Sequence, residues 1–174
     1  MDFTIRVAEP GEYARLGEIT ARGYLDDGLL DFGEDDPYLL TLRDVAARAA
    51  EAAVLAAVDA DGTLLGGVTF VAAGGPWADV ARAGETEFRM LAVDRAARGR
   101  GVGEALVRAC VARSRDMEGC IRIVLSTQDR MLQAHRIYER LGFARTPERD
   151  WEPFPGLSLL TYALDLNVPP ATGR

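Results

Sequence analysis

The chain has 174 residues, of which 48% are hydrophobic and 27% charged, a composition that predicts a packed domain and excludes a disordered chain. The formal net charge of −7 argues against a nucleic-acid partner, which would require a basic face. No apolar run approaches the ~20 residues of a membrane-spanning helix, and the N-terminus lacks the basic start and apolar middle of a signal peptide, so we expect a cytoplasmic protein with no membrane partner.

Hydrophobic periodicity and turn residues predict the elements. Asp61-Gly62 separates two apolar runs and is a strong hairpin signal. In chain order, we predict a strand at residues 3–7, helices from residue 11 and over 39–52, the two strands of a hairpin within 52–73, a strand at 87–94, a helix at 101–118, a strand at 121–127, a helix at 131–142, and strands at 143–149 and 157–165. This order predicts a single domain of mixed α/β type over residues 1–166 and a disordered tail at 167–174.

The chain contains two cysteines, Cys110 and Cys120, and a single histidine, His135. This set cannot build an ordinary zinc site, so no metal is expected. We predict that both cysteines are reduced and behave as small core residues. His135 is predicted to face solvent and to have no catalytic role.

Residues 97–103, ARGRGVG, place three glycines directly before a predicted helix. The first turn of a helix leaves backbone N–H groups unpaired, and these groups attract anions together with the helix dipole. Gly99, Gly101 and Gly103 lack the Cβ atoms that would keep an anion away, and they permit positive φ. Because Arg98 and Arg100 add positive charge, the turn predicts a phosphate or pyrophosphate site. The alternative is a tight turn with solvated arginines.

Two common nucleotide-binding loops do not match this turn. No lysine followed by a hydroxyl residue comes after the glycines, as a P-loop requires. The third glycine of a dinucleotide fingerprint would fall at Glu104 or at Leu106, and the next strand ends in Ser126-Thr127 rather than in an acidic residue. A nucleotide-binding domain is therefore disfavoured.

Two linked motifs resemble those of the GCN5-related N-acetyltransferases. Residues 98–103, RGRGVG, match that family's R/Q-x-x-G-x-G/A motif, and HRIYERLGF at 135–143 resembles its second signature. The strand EFRMLAVD before the first motif is similar to the family's fourth strand. The resemblance covers about residues 3–166 and implies one mixed α+β domain: a central, mostly antiparallel sheet of about seven strands, splayed between the fourth and fifth, with about four flanking helices.

The resemblance implies that acetyl-coenzyme A is the acyl donor. In the family, backbone amides of the first motif bind the pyrophosphate, and the pantetheine arm lies along the fourth strand. A backbone N–H near Leu91 would then polarise the thioester carbonyl. The donor-binding residues implied here are Arg98, Gly99, Arg100, Gly101, Val102 and Gly103 in the turn, and Met90, Leu91, Ala92 and Val93 on the strand.

Tyr138 aligns with the family tyrosine that often protonates the departing thiolate, so the resemblance implies that it is a general acid. A packed core tyrosine explains the same position equally well, since Met131, Tyr138 and Leu141 share one apolar helix face. Many relatives have asparagine where this chain has Met131. Gln128 and Ser126 are the candidates to replace its contact with the pantetheine arm, and Tyr138 borders the same arm.

Glu87 is our candidate for the general base, because several relatives place a glutamate on this strand. The alternatives are an exposed glutamate, an ion pair with Arg89, or proton loss to water alone. In relatives, two segments line the acceptor pocket, and here they carry Tyr24, Asp26, Asp27, Asp31 and Asp35 on one side and Trp151 and Phe154 on the other. These acidic groups could attract a cationic amine, or they could form a solvated loop.

We therefore expect an N-acetyltransferase, an acyltransferase that moves acetyl from acetyl-coenzyme A to a primary amine by direct attack, without a metal. The amine could belong to a small molecule, a peptide or a protein, and a homodimer is compatible with the resemblance. The alternative is a non-catalytic acyl-coenzyme A sensor or interaction module of the same fold, which the methionine at position 131 favours.

Overall fold

The computed structural model describes residues 2–167, which form five α-helices and eight β-strands. Apart from Asn167, the tail predicted at 167–174 lies outside the described residues. The helices are α1 (Tyr13–Asp26), α2 (Tyr38–Arg43), α3 (Val45–Glu51), α4 (Val102–Asp116) and α5 (Leu132–Arg140). The strands are β1 (Phe3–Val7), β2 (Ala53–Asp59), β3 (Leu64–Ala72), β4 (Glu85–Val93), β5 (Arg122–Gln128), β6 (Ala144–Arg145), β7 (Trp151–Phe154) and β8 (Leu157–Asp165).

All eight strands belong to one sheet, in which β1-β2-β3-β4-β5-β8-β6 are neighbours and β7 pairs with β8. Only β4 and β5 are parallel; the other neighbouring pairs are antiparallel. Apolar residues of α4 and α5 pack on one face of the sheet, and those of α1, α2 and α3 pack on the other. The predicted mixed fold, with a mostly antiparallel sheet, is confirmed.

The elements differ from the prediction in three places. The helix predicted at 39–52 is two helices, because Asp44 separates α2 from α3 and its side chain caps α3 by accepting a bond from Ala47 N–H (3.1 Å). The strand predicted at 143–149 is shortened to β6, since Pro147 begins a 3₁₀ turn. β7 was not predicted; it contains Pro153, a residue tolerated at a sheet edge but not typical of a strand.

The splay between β4 and β5 is present. These strands pair only through Glu85, Thr86 and Glu87 of β4 and then separate. Along its other edge, β4 has a β-bulge, in which Met90 and Leu91 together oppose Val68 of β3. Met90 has φ of 55° and is the only non-glycine residue with positive φ in the described part of the chain. Such strained backbone concentrates at functional sites, and here it lies where the sheet opens.

His135 is buried, so the prediction that it faces solvent was wrong. The residue is 8% exposed, and its Nε2 lies 3.0 Å from the carbonyl oxygen of Gln128 and 3.3 Å from the hydroxyl of Thr127. His135 lies one helical turn before Tyr138, so both side chains face the sheet. Cys110 is buried and Cys120 half-buried, and both are free thiols.

Two kinds of feature are absent within residues 2–167. No helix there combines the length and the apolar character needed to cross a bilayer. The same residues bring together no group of three or more histidine, cysteine, aspartate or glutamate side chains that could hold a metal ion.

A buried arginine joins α2, α3 and the sheet. Arg48 is 2% exposed, and its guanidinium donates hydrogen bonds to the Thr69 hydroxyl (3.1 Å), Thr41 O (2.6 Å) and Leu42 O (3.2 Å). Both carbonyl groups belong to the last turn of α2: Thr41 O also accepts a bond from Asp44 N–H (3.2 Å), whereas Arg48 is the donor to Leu42 O. Arg48 therefore supplies a donor to the buried Leu42 carbonyl group and to the buried Thr69 hydroxyl.

We expect Arg48→Met to lower the free energy of unfolding by about 2 kcal/mol or more, because each buried acceptor left without a donor costs about 1–3 kcal/mol. Urea denaturation followed by circular dichroism measures this change. Arg43→Met is the matched control: Arg43 forms a surface ion pair with Glu18 (2.8 Å), and such a pair contributes about 0–1 kcal/mol. Equal losses in the two variants would contradict the role of Arg48.

Candidate active site

A cavity of about 620 Å³ occupies the gap where β4 and β5 separate. Its volume lies within the range of about 300–1,000 Å³ that is typical of small-molecule sites. Three segments approach it: the residues from the end of α1 to α2, the splayed parts of β4 and β5, and the hairpin of β7 and β8. The lining residues that were predicted from the sequence are Tyr24, Asp31, Met90, Leu91, Ser126, Gln128, Met131, Tyr138, Trp151 and Phe154.

The glycine turn before α4 has the backbone geometry of an anion site. Gly99 and Gly101 have φ of 83° and 80°, a region that favours glycine. The first intrahelical bond of α4 runs from Ala105 N–H to Gly101 O (3.0 Å), so the N–H groups of residues 102–104 lack helical acceptors. A Cβ added at Gly99 or Gly101 would meet no atom within 4 Å. The space beside Gly99 and Gly101 is therefore open, so an anionic group could approach the start of α4 there.

The third glycine of the motif serves packing as well. Gly103 is buried in the first turn of α4, and a Cβ there would lie 3.3 Å from Ile137 Cδ1 of α5. This position brings α4 close to α5.

The two arginines of the turn point to different neighbours. Arg98 is exposed, with Nη2 3.4 Å from Asp27 Oδ1. Arg100 pairs with Asp2 (2.9 Å) and Asp59 (3.4 Å), and these hydrogen bonds raise its pKa. Arg98 is thus the less constrained cation, while the predicted contribution of Arg100 to donor binding stays a prediction.

The β4 residues predicted to contact the donor differ in their surroundings. Met90 and Leu91 line the cavity at the bulge. Ala92 and Val93 continue β4 opposite Gly67 and Gly66 of β3. Because β5 has already separated from this part of β4, the β5-facing edge of the strand borders the gap.

Tyr138 is both a packed residue and a cavity residue. It is 3% exposed, and its ring packs against those of Phe88, Phe143 and Tyr162 at centroid distances of 5.7, 6.0 and 5.7 Å. The side chain also lines the cavity, and none of the hydrogen bonds among residues 2–167 involves its hydroxyl. Burial raises the pKa of this phenol, which keeps it protonated well above neutral pH.

Of the two candidates to replace the family asparagine, Ser126 has the fewer hydrogen bonds within the protein. Gln128 is buried, donates to Leu29 O (3.2 Å) and accepts from Arg130 (2.9 Å). Both ends of its amide are therefore already bonded. The Ser126 hydroxyl has no hydrogen-bond partner within residues 2–167, and Met131 lines the cavity beside it.

Glu87 is fully buried and does not line the cavity. Its Oε1 accepts the backbone N–H groups of Asp79 (3.0 Å), Val80 (2.9 Å) and Ala81 (3.0 Å), while Oε2 has no partner in the described residues. The side chain is not the exposed glutamate considered above, and Arg89 pairs instead with Asp79 (3.0 Å). Burial raises the pKa of Glu87, although the bonds from Val80 and Ala81 oppose that shift.

The aspartates predicted for the acceptor pocket contribute less to the cavity than expected. Of Asp26, Asp27, Asp31 and Asp35, only Asp31 lines the cavity. Asp26 borders a separate cavity of about 150 Å³ with Arg22, Arg95 and Arg98, and Asp27 pairs with Arg98. Asp35 borders neither cavity.

Sequence reasoning missed several lining residues, including Phe32, Tyr38, Asp79, Arg89, Leu157 and Leu159. Phe32 and Tyr38 lie close in sequence to Asp31 and Asp35, and their aromatic character was a usable signal. Asp79 lies in a loop of ordinary turn composition, and only the folded structure brings it to Arg89.

Comparison with known proteins agrees with this geometry. The model of the acetyltransferase (GNAT) family matches residues 20–143, more than half of the chain. Over 59 residues the chain is 44% identical to mycothiol acetyltransferase of Salinispora tropica; this segment is 34% of the chain but only 19% of that relative.

Two similar solved structures share the fold. The structure of yncA from Salmonella typhimurium with its cofactor acetyl-CoA is 21% identical, with 100% of this chain and 99% of that chain covered and a TM-score of 0.67. The spermidine N-acetyltransferase of Vibrio cholerae, solved with CoA and spermine, is 15% identical, with 95% and 96% covered and a TM-score of 0.68. The chain belongs to the acetyltransferase (GNAT) family.

Proposed function

We propose that the protein is an N-acetyltransferase that moves an acetyl group from acetyl-coenzyme A to a primary amine. The observation that supports this most strongly is the cavity at the splay of the sheet, which Met90 and Leu91 of β4 line together with Tyr138. The open glycine turn before α4 follows the end of the same strand. Such an arrangement can hold a diphosphate at one end and present a thioester at the other.

Each group in the site would have one role in the reaction. Bound acetyl-coenzyme A supplies the activated acyl group. The N–H groups of residues 101–104, with Arg98, would hold its diphosphate, since helix N-termini attract anions. The Leu91 N–H, at the bulge, would donate a hydrogen bond to the thioester oxygen as negative charge develops there. Tyr138 would donate its phenolic proton to the departing thiolate.

Glu87 is proposed as the proton acceptor for the attacking amine, acting through water. Its unpartnered Oε2 is the atom that could accept a proton, and a raised pKa brings a carboxylate closer to the working range of a general base. The Oε1 atom also accepts three hydrogen bonds from the loop at residues 79–81. Glu87 therefore has a second role, which is to position this loop and with it Asp79.

We expect Glu87→Gln to lower kcat/KM about tenfold, less than the 10²-fold or more of an obligatory base, because water can also accept the proton. The raised pKa means that wild-type kcat/KM increases as pH rises through that pKa, and the variant should lose this acidic limb. The amide oxygen can still accept the three N–H bonds, so the loop should be retained. Identical pH profiles for the two proteins would contradict the base role.

A non-catalytic acyl-coenzyme A binder is the second candidate, favoured by the methionine at position 131. Isothermal titration calorimetry with coenzyme A, together with thiol release from acetyl-coenzyme A over a panel of amines, separates the two candidates. Binding with turnover supports the enzyme. Tight binding with no turnover on any amine would support the binder.

A further inference from the structure

The connection between α1 and α2, residues 27–37, forms one wall of the cavity and contains no α-helix or strand. We call it the connecting segment. Most of its hydrogen bonds are local: Asp36, for example, accepts the N–H groups of Phe32 (3.4 Å) and Tyr38 (2.9 Å). Such bonds shape the segment but do not fix its distance from the sheet. The residues of the segment that line the cavity are Leu29, Leu30, Asp31, Phe32, Asp36 and Pro37.

One side chain of the sheet reaches the connecting segment. Gln128, the last residue of β5, donates from Nε2 to Leu29 O (3.2 Å), and among residues 2–167 no other hydrogen bond joins the segment to a strand. Both partners are buried, with Gln128 9% and Leu29 5% exposed. Because a buried acceptor that loses its donor is costly, this bond fixes the position of Leu29 relative to β5.

Gln128 is itself held by two neighbours. Its side chain faces Arg130 Nη2 at 2.9 Å, and a guanidinium group only donates, so the amide oxygen lies on that side and the nitrogen faces Leu29. The backbone carbonyl oxygen of Gln128 lies 3.0 Å from His135 Nε2, which must be the donor because a carbonyl group only accepts. The His135 ring in turn packs against Tyr162 of β8, with centroids 5.6 Å apart. The direction of the Gln128 amide is therefore fixed from both ends.

We propose that Gln128 is a positioning residue for the acceptor, an inference that rests on the proposed N-acetyltransferase function. Gln128 holds the connecting segment at a fixed distance from β5, and this distance determines the width of the acceptor side of the cavity. The family resemblance suggested another role, a contact with the pantetheine arm in place of the missing asparagine. Since its amide is bonded to Leu29 and Arg130, Gln128 acts on the acceptor through Leu29 and does not need to touch the donor.

Two variants remove the donor at position 128. Gln128→Met keeps the length of the side chain without its hydrogen bonds, and Gln128→Glu keeps an oxygen for Arg130 but cannot donate to Leu29 O. We expect each variant to raise the acceptor KM about tenfold, with kcat and the Kd for coenzyme A nearly unchanged, because the lost bond affects acceptor binding alone. Thiol release at saturating acetyl-coenzyme A gives KM and kcat, with phenethylamine, cadaverine or spermidine as the acceptor, whichever the wild type acetylates fastest.

The alternative roles of Gln128 give different results. A raised Kd for coenzyme A, measured by calorimetry, would make Gln128 a donor contact and overturn the inference. A lower melting temperature with an unchanged acceptor KM would make it a structural residue only and would also overturn it. Arg130→Met is the matched control, because it removes the other bond of the same amide from an exposed side chain. An equal increase of KM in this control would contradict the role of the bond to Leu29.

Hydrogen exchange followed by mass spectrometry tests the same contact without turnover. The amides of residues 27–37 should exchange about tenfold faster in Gln128→Met than in the wild type, since local opening of the segment no longer breaks a buried bond. Arg130→Met should retain the wild-type rate. Unchanged exchange in Gln128→Met would overturn the inference. Faster exchange without thiol release from any of the three amines would contradict the proposed function, while supporting the hold of Gln128 on the connecting segment.

Discussion

Tyr138→Phe is expected to lower kcat by about 10²–10³-fold, within the range for loss of a general acid, while the Kd for coenzyme A changes little. The phenylalanine keeps the ring that packs on Phe88 and Phe143 and removes only the hydroxyl, which has no partner within residues 2–167. Because the variant removes an interaction made in the transition state, kcat and kcat/KM should fall together. Steady-state thiol release and calorimetry measure the two quantities.

Tyr162→Phe is the matched control for this experiment. Tyr162 belongs to the same buried aromatic cluster, with its ring 5.7 Å from that of Tyr138, but it does not line the cavity. We expect its kcat to remain close to that of the wild type. If Tyr138→Phe also retained kcat, Tyr138 would be a packing residue only, and water would have to protonate the thiolate.

The pH dependence offers a separate check on Tyr138. Burial raises the pKa of its phenol above that of an ordinary tyrosine, so the acid form persists to higher pH. A general acid in this state should cause no loss of kcat as pH increases from neutral towards about 10, the ordinary tyrosine pKa. A decline of kcat in that interval that is absent from the Phe variant would contradict the raised pKa.

Gly101→Ala is expected to raise the Kd for coenzyme A by about 10²-fold. The new Cβ would project into the open space beside the first N–H groups of α4, and losing one or two hydrogen bonds to a charged group costs about 1.5–3 kcal/mol each. Calorimetry measures the affinity directly.

Gly62→Ala separates this effect from backbone strain. Gly62 has φ of 88° in the turn between β2 and β3, and a Cβ there would also meet no atom within 4 Å. Both variants place alanine in a left-handed conformation and should lose similar stability, about 1–2 kcal/mol. Only the Gly101 variant should lose coenzyme A affinity. Equal affinities in the two variants would contradict an anion site in the glycine turn.

Much of the fold could be predicted from the sequence because its signals are local. The alternation in β1, the Asp61-Gly62 turn and the glycines before α4 each determine a nearby conformation. The predictions that were wrong or missing depend on contacts with distant parts of the chain. β7 contains Pro153 and is held only by its pairing with β8, and His135 is buried because α5 packs that face against β5.

The sequence carries more signal for the proposed donor half of the site than for the acceptor half. The glycines of the turn at 98–103 indicate an anion site by themselves, whereas the role of Tyr138 is implied only by the family resemblance. The acceptor wall brings together Tyr38, Arg89 and Trp151 from distant segments, and the burial of Glu87 depends on a loop that folds back onto β4. No local pattern encodes such long-range contacts.

The most direct measurement is the crystal structure of the protein with coenzyme A. We predict diphosphate oxygens within about 3 Å of backbone nitrogen atoms between Gly101 and Glu104, and the pantetheine arm along residues 90–93 in the gap between β4 and β5. A diphosphate bound elsewhere, or a pantetheine arm outside that gap, would contradict it.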